Sequence, residues 1–311
     1  MTATTQHGSR SHQVGRVAAI GRAVAAAFIM AFGLLASTEL SGLLFGADAT
    51  AASGFGSRVL VAGSVTVIVV GLILLLRRRW DRRTLTEMGL TGPRTGAAGF
   101  AIGFGVLVGA GVAVLLLLDL TGVVTVLAVA PLQLLGFVAT NAVVALLLEA
   151  LPEELAIRGY ALTNLRDAFP PAVAVVLNIC AFLLVAVSAL ALQGLIALVR
   201  GNGEGGRLAP SGEDPIVYYT MLVAFGYLLI YARDATASAT IWTAVGAHLG
   251  WLTMNRIVLG AEGVQFEMDE LGSLLFFAGY ATVSIVAFSW LRRASRRSSR
   301  AQRTSPSRAP R

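Results

Sequence analysis

The residues with the clearest chemical capacity fall in one stretch, LLLEALPEELAIRGYALTNLRDAF, positions 146 to 169. Glu149 and Glu153 are four residues apart and share one face of a helix. Glu154 and Arg158 are also four apart and can form an intrahelical ion pair. Pro152 removes a backbone hydrogen bond beside them and kinks the helix. Two readings stay open. One is a helix end at the membrane surface with a solvated charge pair, and spacing alone favours it. The other is a buried carboxylate held beside a carboxylate–guanidinium strut, a group suited to general-base work.

A second polar insertion is His248, in SATIWTAVGAHLGWLTMNRIVL, the only histidine outside the N-terminal tail. It stands about twelve residues into its apolar segment, roughly 18 Å deep at 1.5 Å per residue. Asn255 follows two turns later on the same face. A lone histidine of this kind is more often a packed, hydrogen-bonded helix residue than a catalyst. A third feature is LNICAFLLVAVSALALQG, where Asn178, Phe182 and Ala186 align at four-residue steps, with Ser188 and Gln193 further on.

The elements that carry these groups are membrane spans. The chain of 311 residues is 56% hydrophobic and 13% charged, against roughly 25% charged in soluble domains. Mean hydropathy is +0.75. An ordinary soluble globule and a disordered chain are both excluded. All 24 basic residues are arginine. Cys180 is the single cysteine, so neither an intrachain disulfide nor a cysteine-based metal site can form. Charge-free intervals are long enough for helices of about 20 residues and too long for barrel strands. They predict an all-α, polytopic membrane bundle of about eight transmembrane helices.

Arginine placement predicts the orientation. The N-terminus carries Arg10, Arg16 and Arg22, the second connection reads RRRWDRR at 77 to 83, and eight arginines lie between Arg292 and Arg311. With eight spans these fall on one side, so both termini are expected in the cytoplasm of a cell-membrane protein. The first apolar run starts late and lacks a clear small-residue exit, which reads as a retained span. Gly99 with Gly103, and Gly105 with Gly109, have the spacing that lets helix backbones approach closely. The Ser- and Pro-rich tail from 292 to 311 reads as disordered and lipid-touching, and nucleic acid is not an expected partner. The chain has no evident internal repeat to support an inverted-repeat transporter.

Taken in order, these segments resemble the CAAX-protease and bacteriocin-processing family, also called CPBP or Abi. Its EExxxR motif reads Glu153-Glu154-Leu-Ala-Ile-Arg158 here, followed by GYALTNL. Its late-span histidine corresponds to His248 within YARDATASATIWTAVGAHLGW, and TLTEMGLTGP at 84 to 93 resembles the family's lead-in to the third span. The resemblance covers roughly 84 to 260. Before it lie a polar tail, 1 to 16, and two spans with a basic loop, 17 to 83. After it lie a last span, 261 to 291, and the tail.

The resemblance implies peptide hydrolysis within the membrane, on a membrane-associated peptide or protein. Glu153, Glu154, Arg158 and His248 would be the catalytic set. In the family the first glutamate and a second-motif histidine activate water, while the later histidine and an asparagine one turn on stabilise the oxyanion. This chain departs twice. Ala186 stands where the second-motif histidine belongs, and Leu252 where the asparagine belongs. Asn255 is a candidate replacement for that asparagine, and Glu149 or Asn178 could help hold a water. The cofactor is left unknown: the family is sometimes described as metal-dependent, but with one histidine a zinc site here would have to be carboxylate-rich. Two rivals stand beside the peptidase. One is a pseudoprotease that binds a membrane partner without cleaving it. The other is a transporter or permease component with Glu149, Glu153 and His248 as a proton relay.

Overall fold

The computed structural model describes residues 15–46, 54–201, 207–210 and 212–304. The polar N-terminus, part of the acidic connection near 201 to 215 and the last residues of the tail lie outside them. Among the described residues eight long helices follow one another. They are α1 Arg16–Phe45, α2 Phe55–Asp81, α3 Pro93–Leu120, α4 Pro131–Ala168, α5 Pro171–Val199, α6 Pro215–Arg233, α7 Ile241–Val258 and α8 Glu270–Thr304. One short antiparallel ladder interrupts the helical pattern. In it β1, Thr125–Val129, pairs with β2, Val264–Glu267, from Thr125 opposite Glu267 to Val129 opposite Val264.

Large apolar side chains such as Phe28, Phe32, Val67, Leu117, Val176 and Val286 face outward, whereas arginines and carboxylates lie inside. That inversion suits a chain solvated by hydrocarbon. Among the described residues seven helices are long and apolar enough to cross a membrane. The exception is α7, which carries His248, Asn255 and Arg256 and buries most of its residues among its neighbours. It tolerates polar groups because other helices, rather than lipid, surround it. The protein is a multi-pass all-α membrane bundle.

The glycines of α3 explain how α7 is placed. A Cβ on Gly103 would overlap the Thr243 carbonyl, and one on Gly99 would lie 2.7 Å from the Thr240 methyl. From the other side, a Cβ on Gly246 would overlap the Phe100 carbonyl, and one on Gly250 would lie 2.8 Å from Leu107. Backbone meets backbone along this crossing. Residue 248 is two positions from both glycines, about 200° around the helix, so His248 points away from α3. The second glycine pair behaves differently, since nothing lies within 4 Å of a Cβ on Gly105 or Gly109. Gly103→Val therefore costs about 1–3 kcal/mol by overpacking, read as a lower melting temperature in detergent. Gly105→Val leaves it nearly unchanged, and equal shifts would refute the crossing.

One end of the bundle departs from the sequence expectation. The RRRWDRR segment reads as a basic loop, yet its first five residues continue α2 and two of its charges are fully buried. Asp81 takes Arg22 at 3.0 Å and Arg77 at 3.2 Å, and it accepts from Tyr160 and Asn164. Arg77 also reaches Glu87 at 3.1 Å. Asp81, the one acid within RRRWDRR, acts with Glu87 to let the charge turn inward. The same end holds Arg83 with Asp167, and Arg166 forked onto Asp234 at 2.6 and 2.9 Å. Trp80 and Trp290 are exposed there, as interface anchors are. Residues 292 to 304, expected to be disordered, continue α8. Arg292 stacks on Tyr231, and the Ser295 hydroxyl donates to the Ala235 carbonyl, which ties this stretch down.

Candidate active site

The motif segment lies in a locally widened helix. The Leu151 N–H bonds the Leu146 carbonyl, five residues back, and the Leu162 N–H bonds that of Ile157. Such π turns often accompany functional sites. Continuing that pattern, residue 152 would donate to the Leu147 carbonyl, but proline has no N–H. The Thr66 hydroxyl of α2 bonds that carbonyl instead. The Asn178 amide of α5 donates to the Ile157 carbonyl at 2.8 Å. Thr66 thus satisfies a carbonyl that the proline leaves without its partner, and Asn178 braces one that the helix already bonds.

Within this frame Glu153, Glu154, Arg158 and His248 meet, although 94 residues separate Glu154 from His248. His248 Nδ1 lies 3.0 Å from Glu154 Oε1. The Arg158 guanidinium lies 3.2 Å from Glu154 Oε1 and 3.7 Å from Glu153 Oε1. One ligand atom from each of Glu153, Glu154 and His248 falls within 4.8 Å of the others. All four residues are buried. The solvated reading of the charge pair is thereby set aside. Arg158 also stacks over the Phe182 ring at 4.2 Å, and the Phe225 ring meets His248 edge-on at 4.9 Å. Trp251 stacks behind Phe225, and Tyr280 behind Trp251.

Helix α5 contributes through its four-residue steps. Asn178 holds the motif backbone, Phe182 carries the guanidinium, and Ala186 lines a cavity of about 660 Å³ together with Glu153 and His248. Leu252 and Glu149 line the same cavity. Glu149 is not free to serve the centre alone, because Arg256 holds it at 2.7 Å while also donating to Asn141. Asn178 supports the helix and is not on the cavity wall. Asn255 is absent from that wall as well: it sits about 10 Å beyond His248 along α7 at 1.5 Å per residue. His248 is shallower than expected, because α7 begins only at Ile241, where the Thr240 side chain caps it. From there the histidine is about 10 Å along the axis. The Arg256–Glu149 pair escaped the sequence reading because nothing local in the sequence relates two charges 107 residues apart.

Residues 135–254 match the protein family described as type II CAAX prenyl endopeptidase, Rce1-like. Over these residues the chain is similar to the CAAX-protease family, which supports that assignment. The match runs from α4 into α7, the four helices that build the Glu153–His248 cluster, and stops just short of Asn255. No curated protein and no solved structure matches the chain. The donor set can be tested against a metal. Glu154 Oε1 already faces His248 and Arg158, so Glu153, Glu154 Oε2 and the second His248 nitrogen are the open donors, with a guanidinium 3.7 Å from Glu153. A catalytic zinc needs three protein ligands, and an adjacent fixed cation opposes a second. The Arg158 guanidinium beside these donors, rather than a shortage of them, is what does not fit such an ion. Glu153 Oε1 and Glu154 Oε2 are nonetheless buried without a hydrogen-bond partner, which suits a centre that binds a donor such as water or a peptide N–H.

Proposed function

We propose that this protein is an intramembrane endopeptidase that cleaves membrane-associated peptides or proteins, with Glu153 as the general base. The observation that carries the reading is the meeting of Glu153 and His248 on the wall of a cavity large enough for a peptide segment, with Glu154 and Arg158 buried behind them. Glu153 takes a proton from water, and the hydroxide adds to the scissile carbonyl. Glu154, neutralised by Arg158, accepts from His248 Nδ1 and fixes the imidazole. In its doubly protonated form that ring donates from its second nitrogen to the oxyanion. As the intermediate collapses, Glu153 returns the proton to the departing amine, and a carboxylic acid and a free amine result, the acid then passing its proton to the amine or to water.

Ala186 and Leu252 on the same wall favour a second reading, a pseudoprotease that holds its partner without cleaving it. A transporter gains no such support, because the cavity fades into a buried layer beyond Glu154. Arginine placement and the Trp80 and Trp290 anchors support a cell-membrane protein with both termini cytoplasmic. The test is cleavage of a membrane-tethered peptide by purified protein in detergent, with Glu153→Gln alongside. Cleavage is expected to survive a zinc chelator such as 1,10-phenanthroline unchanged. Loss that added zinc restores would overturn the metal-free mechanism.

A further inference from the structure

We propose that the substrate reaches Glu153 from the end of the bundle opposite the chain termini, so the cleaved segment is one presented on that face of the membrane. The proposal rests on the peptidase reading for its substrate class. Its geometric basis is a gradient that four helices share.

Along α4 the walls change from buried Glu153 to half-buried Glu149 and Leu148, toward Pro131. Along α5 they change from buried Phe182 through Ala186 and Leu190 to exposed Gln193, toward Val199. Along α6 they change from buried Phe225 to half-buried Leu222 and Tyr218, toward Pro215. On α7 the wall continues from His248 to Trp251 and Leu252, toward Val258. Exposed Arg207 and Pro210, from the connection between α5 and α6, complete the outer wall.

All of these helix ends lie at one end of the bundle. The Ala130 N–H bonds the Gly263 carbonyl, and β1 and β2 join the entrance of α4 to the exit of α7. The other direction is closed. Leu155 through Leu162 of α4 are all buried. Behind them Leu228, Leu229 and Arg233 of α6 are buried too, and Arg233 donates to the Thr163 hydroxyl. That closed end holds the first turns of α1, the Arg77–Asp81 cluster and the 292 to 297 stretch of α8. Its arginines place it in the cytoplasm by the positive-inside rule. The open end then faces away from the cytoplasm. The substrate class is an exported or membrane-anchored polypeptide whose scissile segment emerges there, rather than a chain end delivered from the cytoplasm.

The experiment uses the full-length protein with Cys180→Ser, since Cys180 is exposed. Into it go Ala186→Cys and Leu190→Cys on the wall, and exposed Ser238→Cys at the closed end as the reference. A charged, membrane-impermeant thiosulfonate is applied to intact cells and to inverted membrane vesicles. Both wall cysteines should react from the face opposite the one that modifies Ser238→Cys. Reaction from the Ser238→Cys face, or no reaction from either face, would overturn the route. A parallel pair of anchored reporters carries the cleavable segment on one face or the other, and only the one on the open face should be cut. Labelling needs no turnover. The expected sidedness in a protein that cuts neither reporter supports the route and rejects the peptidase reading.

Discussion

Glu153→Gln abolishes cleavage of a membrane-tethered peptide while leaving the folded yield intact. Glutamine keeps the shape of the buried carboxyl and its place near Arg158, but it cannot take a proton from water. The loss of a general base is worth about 10²- to 10⁴-fold, enough to reach background from a rate that is already low. A low starting rate is expected, because Ala186 occupies the place of a water-activating histidine. Ala186 borders the same open cavity as Glu153, so an imidazole at 186 has room to face it. Ala186→His should therefore raise cleavage, by up to the same range. Wild type, Glu153→Gln and Ala186→His are compared side by side in detergent. Cleavage indifferent to Glu153→Gln ends the glutamate mechanism. Silence from wild type and Ala186→His together transfers the function to partner binding.

Arg158→Ala should cost the fold more than any exposed arginine does. Its side chain is fully buried, and two carboxylates lie within 3.7 Å of it. Removing it leaves Glu154 without its cation in a low-dielectric layer, a loss of about 3–5 kcal/mol for a broken buried pair. The exposed Arg94→Ala is the fair reference. Arg166 is not, because its fork onto Asp234 is itself structural. Folded yield by size-exclusion chromatography and the melting temperature read the effect. Equal values for Arg158→Ala and Arg94→Ala would make Arg158 dispensable. The double variant Arg158→Met with Glu154→Gln should recover part of the loss, because it removes both charges rather than orphaning one.

The helical bundle and the four central polar residues were legible in the sequence because each leaves a local trace. Hydropathy marks the spans, and EExxxR marks one helix face. What depended on partners far along the chain was not legible. Asp81 looks like a loop residue until Arg22 and Tyr160 surround it. Glu149 looks like a spare catalytic acid until Arg256 takes it. Asn255 has the right face but the wrong height, a matter of where α7 starts and how it crosses α3. Of the two GxxxG pairs only Gly99 and Gly103 meet another helix, and spacing does not distinguish them from Gly105 and Gly109.

The glycine-lined crossing of α3 and α7 has a bearing on biosynthesis. Helix α7 alone among the eight falls short of the apolarity that drives insertion, yet it carries the histidine of the site. A segment of that kind enters the bilayer only if a docking surface is already there when it leaves the ribosome. Helix α3 is made well before it and presents bare backbone at Gly99 and Gly103, and α4 presents Glu154 and Glu149 to His248 and Arg256. Assembly of the Glu153–His248 cluster and membrane integration of α7 are then one event, so a chain in which α3 and α4 do not both receive α7 never forms the cluster.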